Sequence, residues 1–205
     1  MKRLFAVAIA LAPALALAEP SSWKIDANHT DAQFAVRHLV VSTVRGHFGK
    51  TTGTVVMDDG NVAASRVEAT VDVNTIDTRV PARDAHLKSP DFFDAARHAT
   101  MTFRSSKVER RGEDALDVTG DLTIRGKTRP VVLHVTYSKP IKGAMGEDRR
   151  GFSATTKISR KDFGLNWSKM VEAGPVVGDD VQITIDAEAT RDQAKATAST
   201  EAEKK

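Results

Sequence analysis

Side chains that alternate between apolar and polar at every second residue, in one segment after another, constrain this chain more than any other feature. Val67, Ala69, Val71 and Val73 stand between Arg66, Glu68, Thr70, Asp72 and Asn74. Leu116, Val118, Gly120, Leu122 and Ile124 stand between Asp117, Thr119, Asp121 and Thr123. The same rhythm runs through Val131–Tyr137, Phe152–Ile158 and Val181–Ala189. Successive residues of a β-strand point to opposite faces, so each run is a strand with one dry and one wet face. Weaker alternation over Trp23–Asp26, Ala32–Val41, His47–Met57 and Thr100–Val108 brings the expected strands to nine. Turn-forming clusters such as Asp58-Asp59-Gly60-Asn61, Arg111-Gly112-Glu113-Asp114 and Gly143–Asp148 separate several of them. The fold class is therefore all-β and antiparallel.

Strands with one apolar face each must turn those faces toward one another. A two-sheet sandwich and a closed barrel both achieve this, and alternation leaves the choice open. One stretch breaks the rhythm: Asp77–His98, with Pro81, Pro90 and an Ala/Asp/Leu content, predicts one or two short helices around residues 80–98. Residues 191–205 hold no large apolar side chain. Such a segment cannot bury enough surface to offset its own ordering, so a polar, disordered tail is expected. With no internal repeat and no linker, residues 19–190 read as one domain.

The first 18 residues differ from the rest. A basic start, Met1-Lys2-Arg3, precedes an apolar run from Leu4 to Leu17, and Ala16-Leu17-Ala18 offers small residues for cleavage before Glu19. This is the layout of a signal peptide. The run is interrupted by Pro13 and falls short of the roughly 20 apolar residues that span hydrocarbon. A periplasmic destination without a stable membrane anchor is expected. Removing Lys2 and Arg3 takes 30 basic against 27 acidic residues to 28 against 27, a net +1. So balanced a surface gives no long-range pull on nucleic acid. The absence of Cys excludes disulfides, thiolate nucleophiles and iron–sulfur clusters, and leaves stability to the core.

Chemistry-bearing motifs are sparse. His29, His38 and His47 recur every nine residues, but odd spacing along strands puts neighbours on opposite faces. His86, His98 and His134 are scattered, and no resident metal or cofactor is expected. No G-x-S-x-G nucleophile elbow occurs. Asp58-Asp59 and Asp179-Asp180 lie beside glycine and read as turns. The densest polar group is Arg79, Arg83, Asp84, His86, Lys88 and Asp91, next to Leu87, Phe92 and Phe93. It fits either an amphipathic connector or a rim whose arginine forks receive a polar or phosphorylated head group.

Four stretches carry a resemblance. The first is Trp23-Lys24-Ile25-Asp26 through His29 to Phe34, with His38 and Val44-Arg45-Gly46-His47-Phe48. The second is Asp77-Thr78-Arg79 with Arg83-Asp84-Ala85-His86-Leu87-Lys88-Ser89 and Phe92-Phe93-Asp94. The third runs from Gly120 to Thr128 and into Pro130-Val131. The fourth joins Arg160-Lys161-Asp162-Phe163-Gly164-Leu165 to Gly178-Asp179-Asp180-Val181. In this order they resemble the YceI-like family of bacterial polyisoprenoid-binding proteins, across nearly all of residues 23–189. Trp23 stands where Tyr is usual, and Ala95-Ala96-Arg97-His98 replaces a commoner Pro-containing approach.

The resemblance implies an extended, eight-stranded, lipocalin-like antiparallel barrel with a long apolar tunnel and a short helical cover. It further implies an exported homodimer that carries or sequesters an isoprenoid chain with a quinone or phosphate head, without catalysis. Strand parity within the matched stretches places Phe34, Val36, Val71, Phe103, Leu133 and Ile183 on the tunnel wall. His38, Arg79, Arg83, Asp84 and His86 are expected at a polar mouth as head-group ligands. Two other readings remain: an enzyme acting on a lipid head group at the Arg/Asp/His rim, or a metal-responsive stress protein using His29, His38 or His47.

Overall fold

The structure, a computed structural model, describes residues 19–171 and 174–192. The expected leader, residues 1–18, and residues 193–205 of the expected tail lie outside them. In chain order the elements are β1 (Ser21–His38), β2 (Ser42–Phe48), β3 (Thr51–Met57), β4 (Arg66–Asp72), β5 (Ile76–Asp77) and α1 (Pro81–Lys88). There follow β6 (Thr100–Gly112), β7 (Ala115–Ile124), β8 (Lys127–Tyr137), β9 (Ile141–Lys142), β10 (Asp148–Ser159), β11 (Met170–Val171), β12 (Gly174–Pro175) and β13 (Val177–Arg191). Eight strands pair antiparallel in the order β13-β10-β8-β7-β6-β4-β3-β1, and β1 pairs back onto β13. The sheet closes on itself, which decides for the barrel over the sandwich. Outward residues such as Glu68, Asp117 and Thr119 are polar and inward ones apolar, the reverse of a barrel that faces lipid. No helix among the described residues is long and apolar enough to cross a membrane.

β1 organises the ring. One edge follows β13 from Trp23 to His38; the other pairs with β3 over Ser21–Lys24 and with β2 over Ala32–His38. Trp23–Asp26 and Ala32–Val41, expected as two strands, are one strand with a bulge. Between the pairs Ile25↔Ala189 and Thr30↔Ala187 the chain advances five residues on β1 against two on β13. The slip reverses parity, so odd-numbered Trp23 and Ile25 and even-numbered Ala32 and Phe34 all face inward. His47–Met57, expected as one strand, is two for the same reason. Phe48 and Val55 differ in parity, and only a corner at Gly49-Lys50 lets both point inward. The expected helical segment is also shorter: α1 starts on Pro81 and stops at Lys88. Pro90 supplies no N–H and holds Ser89 extended, so residues 89–98 form hydrogen-bonded turns instead.

Inward side chains form two clusters. At the end away from α1, Trp23, Met57, Val108, Leu116 and Val135 pack together; at the α1 end, Phe48, Val73, Ile76, Phe92, Phe163 and Leu165 do so. Leu122, Val131 and Ile185 touch both. Arg150, 2% exposed, closes the first end. Its guanidinium lies 5.6 Å from the Trp23 ring and 5.2 Å from that of Tyr137. It also donates to Ser138 O at 2.7 Å and to both carboxylate oxygens of Asp59 at 2.7 and 3.2 Å. Replacing it strips two rings of their cation and leaves a carbonyl unserved. Urea denaturation should show Arg150→Ala losing about 2–3 kcal/mol, and Asp59→Asn, at a half-exposed partner, under about 1 kcal/mol.

Outside the seam, Arg149 donates to Glu147 at 2.6 Å, Glu188 at 2.8 Å and Asp26 in the bulge at 3.2 Å. The Asp26 carboxyl is held below its usual range chiefly by His29, and that of Glu147 chiefly by Arg149. A depressed carboxyl adds stability above its unfolded pKa and loses it as pH falls through the folded one. The melting temperature should therefore be flat from neutrality to about pH 5 and drop below about pH 4. Arg149→Ala should flatten that drop.

Candidate functional site

Between the two clusters the barrel encloses a hollow of about 270 Å³ that no side chain fills. Cavities cost about 24 cal/mol per Å³ in lost packing, so side chains alone forgo about 6 kcal/mol here. That rivals the whole net stability of an ordinary domain. An apolar cavity of about 150 Å³ already takes up benzene. The wall is made by inward residues of every ring strand, and Leu87 of α1 with Phe92 and Phe93 covers it.

Phe34, Val36, Val71, Phe103, Leu133 and Ile183 all line the hollow. Phe34 stands opposite Ile183 across the β1–β13 seam, and Val71 opposite Met101. Two glycines keep the rings against the wall. A Cβ at Gly46 would stand 2.5 Å from the Phe34 ring, and one at Gly120 2.5 Å from the Phe103 ring. Each ring therefore lies over the bare backbone of its neighbour rather than across the bore. At the α1 end Phe48 meets Phe34 and Phe93 at centroid distances of 5.7 Å. His86 packs edge-on against Phe92 at 5.1 Å and Trp167 at 4.9 Å, which ties the cover to the 164–169 segment.

Few polar side chains turn inward, and neither of the two most informative was expected as a site residue, although Arg160 heads one of the matched stretches. Arg160, 4% exposed, lines the hollow but has its guanidinium committed. It donates to the carbonyls of Gly178 at 2.8 Å, Trp167 at 2.8 Å, Val177 at 3.2 Å and Leu165, and to Asp179 at 3.3 Å. Burial pulls its pKa below the usual range, and Asp179 opposes the shift. Thr51, 3% exposed, also lines the hollow, and its hydroxyl has no partner. The signal for both was parity: Arg160 continues Ala154, Thr156 and Ile158, and Thr51 precedes Val55 and Met57 at even spacing.

None of the five residues expected at a polar mouth, His38, Arg79, Arg83, Asp84 and His86, lines the hollow. Asp84 accepts from the Thr78 N–H at 2.9 Å and from its hydroxyl, and Arg83 donates to Thr78 Oγ1 and O at 2.8 Å. With Thr78 buried, this pair staples the corner between β5 and α1. His86 bonds Asp91 at 2.9 Å, Arg79 is exposed at a positive φ of 64°, and His38 ends β1. Residue type suggested a cationic rim, but the partners are a threonine and a backbone carbonyl, which no spacing reveals. His29 and His47 are engaged with Asp26 and Asp31 at 2.8 and 2.9 Å. Among the described residues no three His, Asp or Glu side chains converge as a metal-binding group.

The YceI-like domain profile matches residues 23–189. A UPF0312 protein of Vibrio cholerae is 36% identical over 167 residues, covering 80% of this chain and 88% of the relative. Protein YceI of Escherichia coli is 38% identical over 147 residues, covering 71% and 76%. The crystal structure of a Campylobacter jejuni YCEI protein superposes with a TM-score of 0.66 at 29% identity, covering 76% of this chain and 90% of that one. Burkholderia cenocepacia BcnA gives 0.71 at 24% identity, covering 80% and 98%. A polyisoprenoid binding domain from Saccharophagus degradans, implicated in plant cell wall breakdown, gives 0.65 at 14%, covering 85% and 100%. These last two likenesses concern the fold. A profile spanning the whole barrel, on a chain whose inward face builds a hollow, leads to one assignment: this chain belongs to the YceI-like family.

Proposed function

We propose that the protein carries or sequesters a polyisoprenoid lipid in the barrel, without a chemical step, after export to the periplasm. The observation that carries this reading is the apolar hollow, whose unmade packing a prenyl chain would restore. Each buried methylene equivalent gains roughly 0.8 kcal/mol, less the ordering of a flexible tail. Relatives in the family and the polyisoprenoid binding domain from Saccharophagus degradans support the ligand class. The basic-then-apolar start at Met1–Leu17 supports export.

The inward polar groups favour an uncharged head. A phosphate in the hollow would meet Arg160, already fully bonded, and besides it only the solvent-exposed Arg66 at the start of β4, and an unneutralised charge in a dry site is costly. A quinone carbonyl, by contrast, suits the Thr51 hydroxyl. The enzymatic reading would need Asp84 and His86 to reach the cargo, and both are engaged outside the hollow.

Solvent extraction and native mass spectrometry of freshly purified protein should find one isoprenoid per chain. A ligand-free protein that binds neither polyprenyl quinones nor polyprenyl phosphates would overturn the reading. Thr51→Val should weaken quinone binding about three- to tenfold, the worth of one hydrogen bond, and leave a prenyl hydrocarbon unaffected. The homodimer implied by the resemblance predicts twice the monomer mass in sedimentation equilibrium.

A further inference from the structure

The turn between β1 and β2 is built from the wrong residues for its shape. Leu39 and Val40 both hold positive φ, 50° and 63°, and Val41 N bonds His38 O at 3.2 Å. That is a tight hairpin turn of the kind Asn-Gly makes without strain, and a β-branched residue there is an outlier. Val40 and Val41 are nonetheless 60% and 79% exposed. Beside them stands the β11–β12 hairpin, whose Met170 and Val171 are 74% and 44% exposed. The two tips are joined through backbone: Leu39 N donates to Val176 O at 3.0 Å, and Val176 N to Lys169 O at 2.9 Å. Val36 and Val177, a few residues down the same strands, line the hollow.

We infer that these two tips form a docking surface for an anionic lipid bilayer, which places the end of the barrel against the medium that holds the cargo. Charge argues for this partner. Arg37, which braces the turn by donating to Thr43 Oγ1 at 3.1 Å and to the Val40 carbonyl, and Lys169, next to β11, have no carboxylate partner among the described residues. Among the described acids nearby, Asp179 is neutralised by Lys161 at 2.7 Å and Asp180 by Lys157 at 3.0 Å, while Glu172, between β11 and β12, lies outside the described residues. Shape argues the same way. Among the described residues the tips carry small aliphatic and thioether side chains, Val40, Val41, Met170 and Val171, without an aromatic anchor, unlike the centre of a protein interface. A patch this small enters the headgroup boundary and leaves again, as a lipid-loading protein requires.

The inference rests on the proposed cargo only for its purpose, so the test keeps the two apart. The purified protein is floated with vesicles of phosphatidylcholine, and of phosphatidylcholine with roughly a third phosphatidylglycerol. Val41→Asp combined with Met170→Asp, and separately Lys169→Glu, are compared with the parent after circular dichroism has shown them folded. The parent should partition onto the anionic vesicles, the double variant about tenfold less, and Lys169→Glu less on anionic vesicles only. Affinity for a prenyl quinone presented in detergent micelles should stay within about twofold in all three. Equal partitioning of parent and double variant, no partitioning of the parent, or a dimer that the double variant dissociates would each overturn docking. Vesicle binding without any isoprenoid binding would sink the cargo reading and leave docking standing.

Discussion

The pairing of β1 with β13 is the constraint from which the rest follows, because it closes the eight-stranded ring and turns an alternating sheet into a tube. Once the tube is closed, every second residue is committed to the interior. The wall then needs two reversals of parity, the bulge between Ile25 and Thr30 and the corner at Gly49-Lys50, to keep its inner face apolar. Both sit where β1 hands its free edge from β3 to β2. The bulge is also where Asp26 is drawn out to meet Arg149, so the irregularity is held by charge on the outside and by packing within.

Two buried arginines serve opposite ends. Arg150 lies between two rings and fixes the floor, while Arg160 gathers the carbonyls of a long excursion between β10 and β13. Neither guanidinium is offered to a ligand. Positive charge inside this barrel is architectural, and the interior presents itself to cargo as hydrocarbon with a few hydroxyls.

Much of this was legible in the sequence. A strand period of two needs no knowledge of partners, which is why Phe34, Val36, Val71, Phe103, Leu133 and Ile183 could be assigned to the inner wall before any pairing was known. Whatever depends on a partner was not legible. The parity reversals follow from which strand β1 meets on each edge, and the roles of Arg83 and Asp84 follow from Thr78 folding beneath them. The tip at Leu39–Val40 was hidden for the opposite reason: its residues favour strands, and Ala32–Val41 read as an unbroken run. Where the chain departs from local preference, at that tip, the departure is itself informative.

The recesses at Gly46 and Gly120 have a consequence for how such a protein diversifies. Each is a missing atom that sets the calibre of the tube by letting a ring step aside. Adding a single methyl group at Gly46, where the nearest atoms all belong to side chains, would swing the Phe34 ring toward the axis and narrow the passage. At Gly120 the same methyl group would also meet the Arg104 carbonyl of the neighbouring strand at 2.5 Å, so the ladder there would have to shift. Cargo girth in this architecture is therefore adjustable at Gly46 by the smallest possible change in side chain, with Phe34 and the neighbouring Thr78 as the groups that must give way.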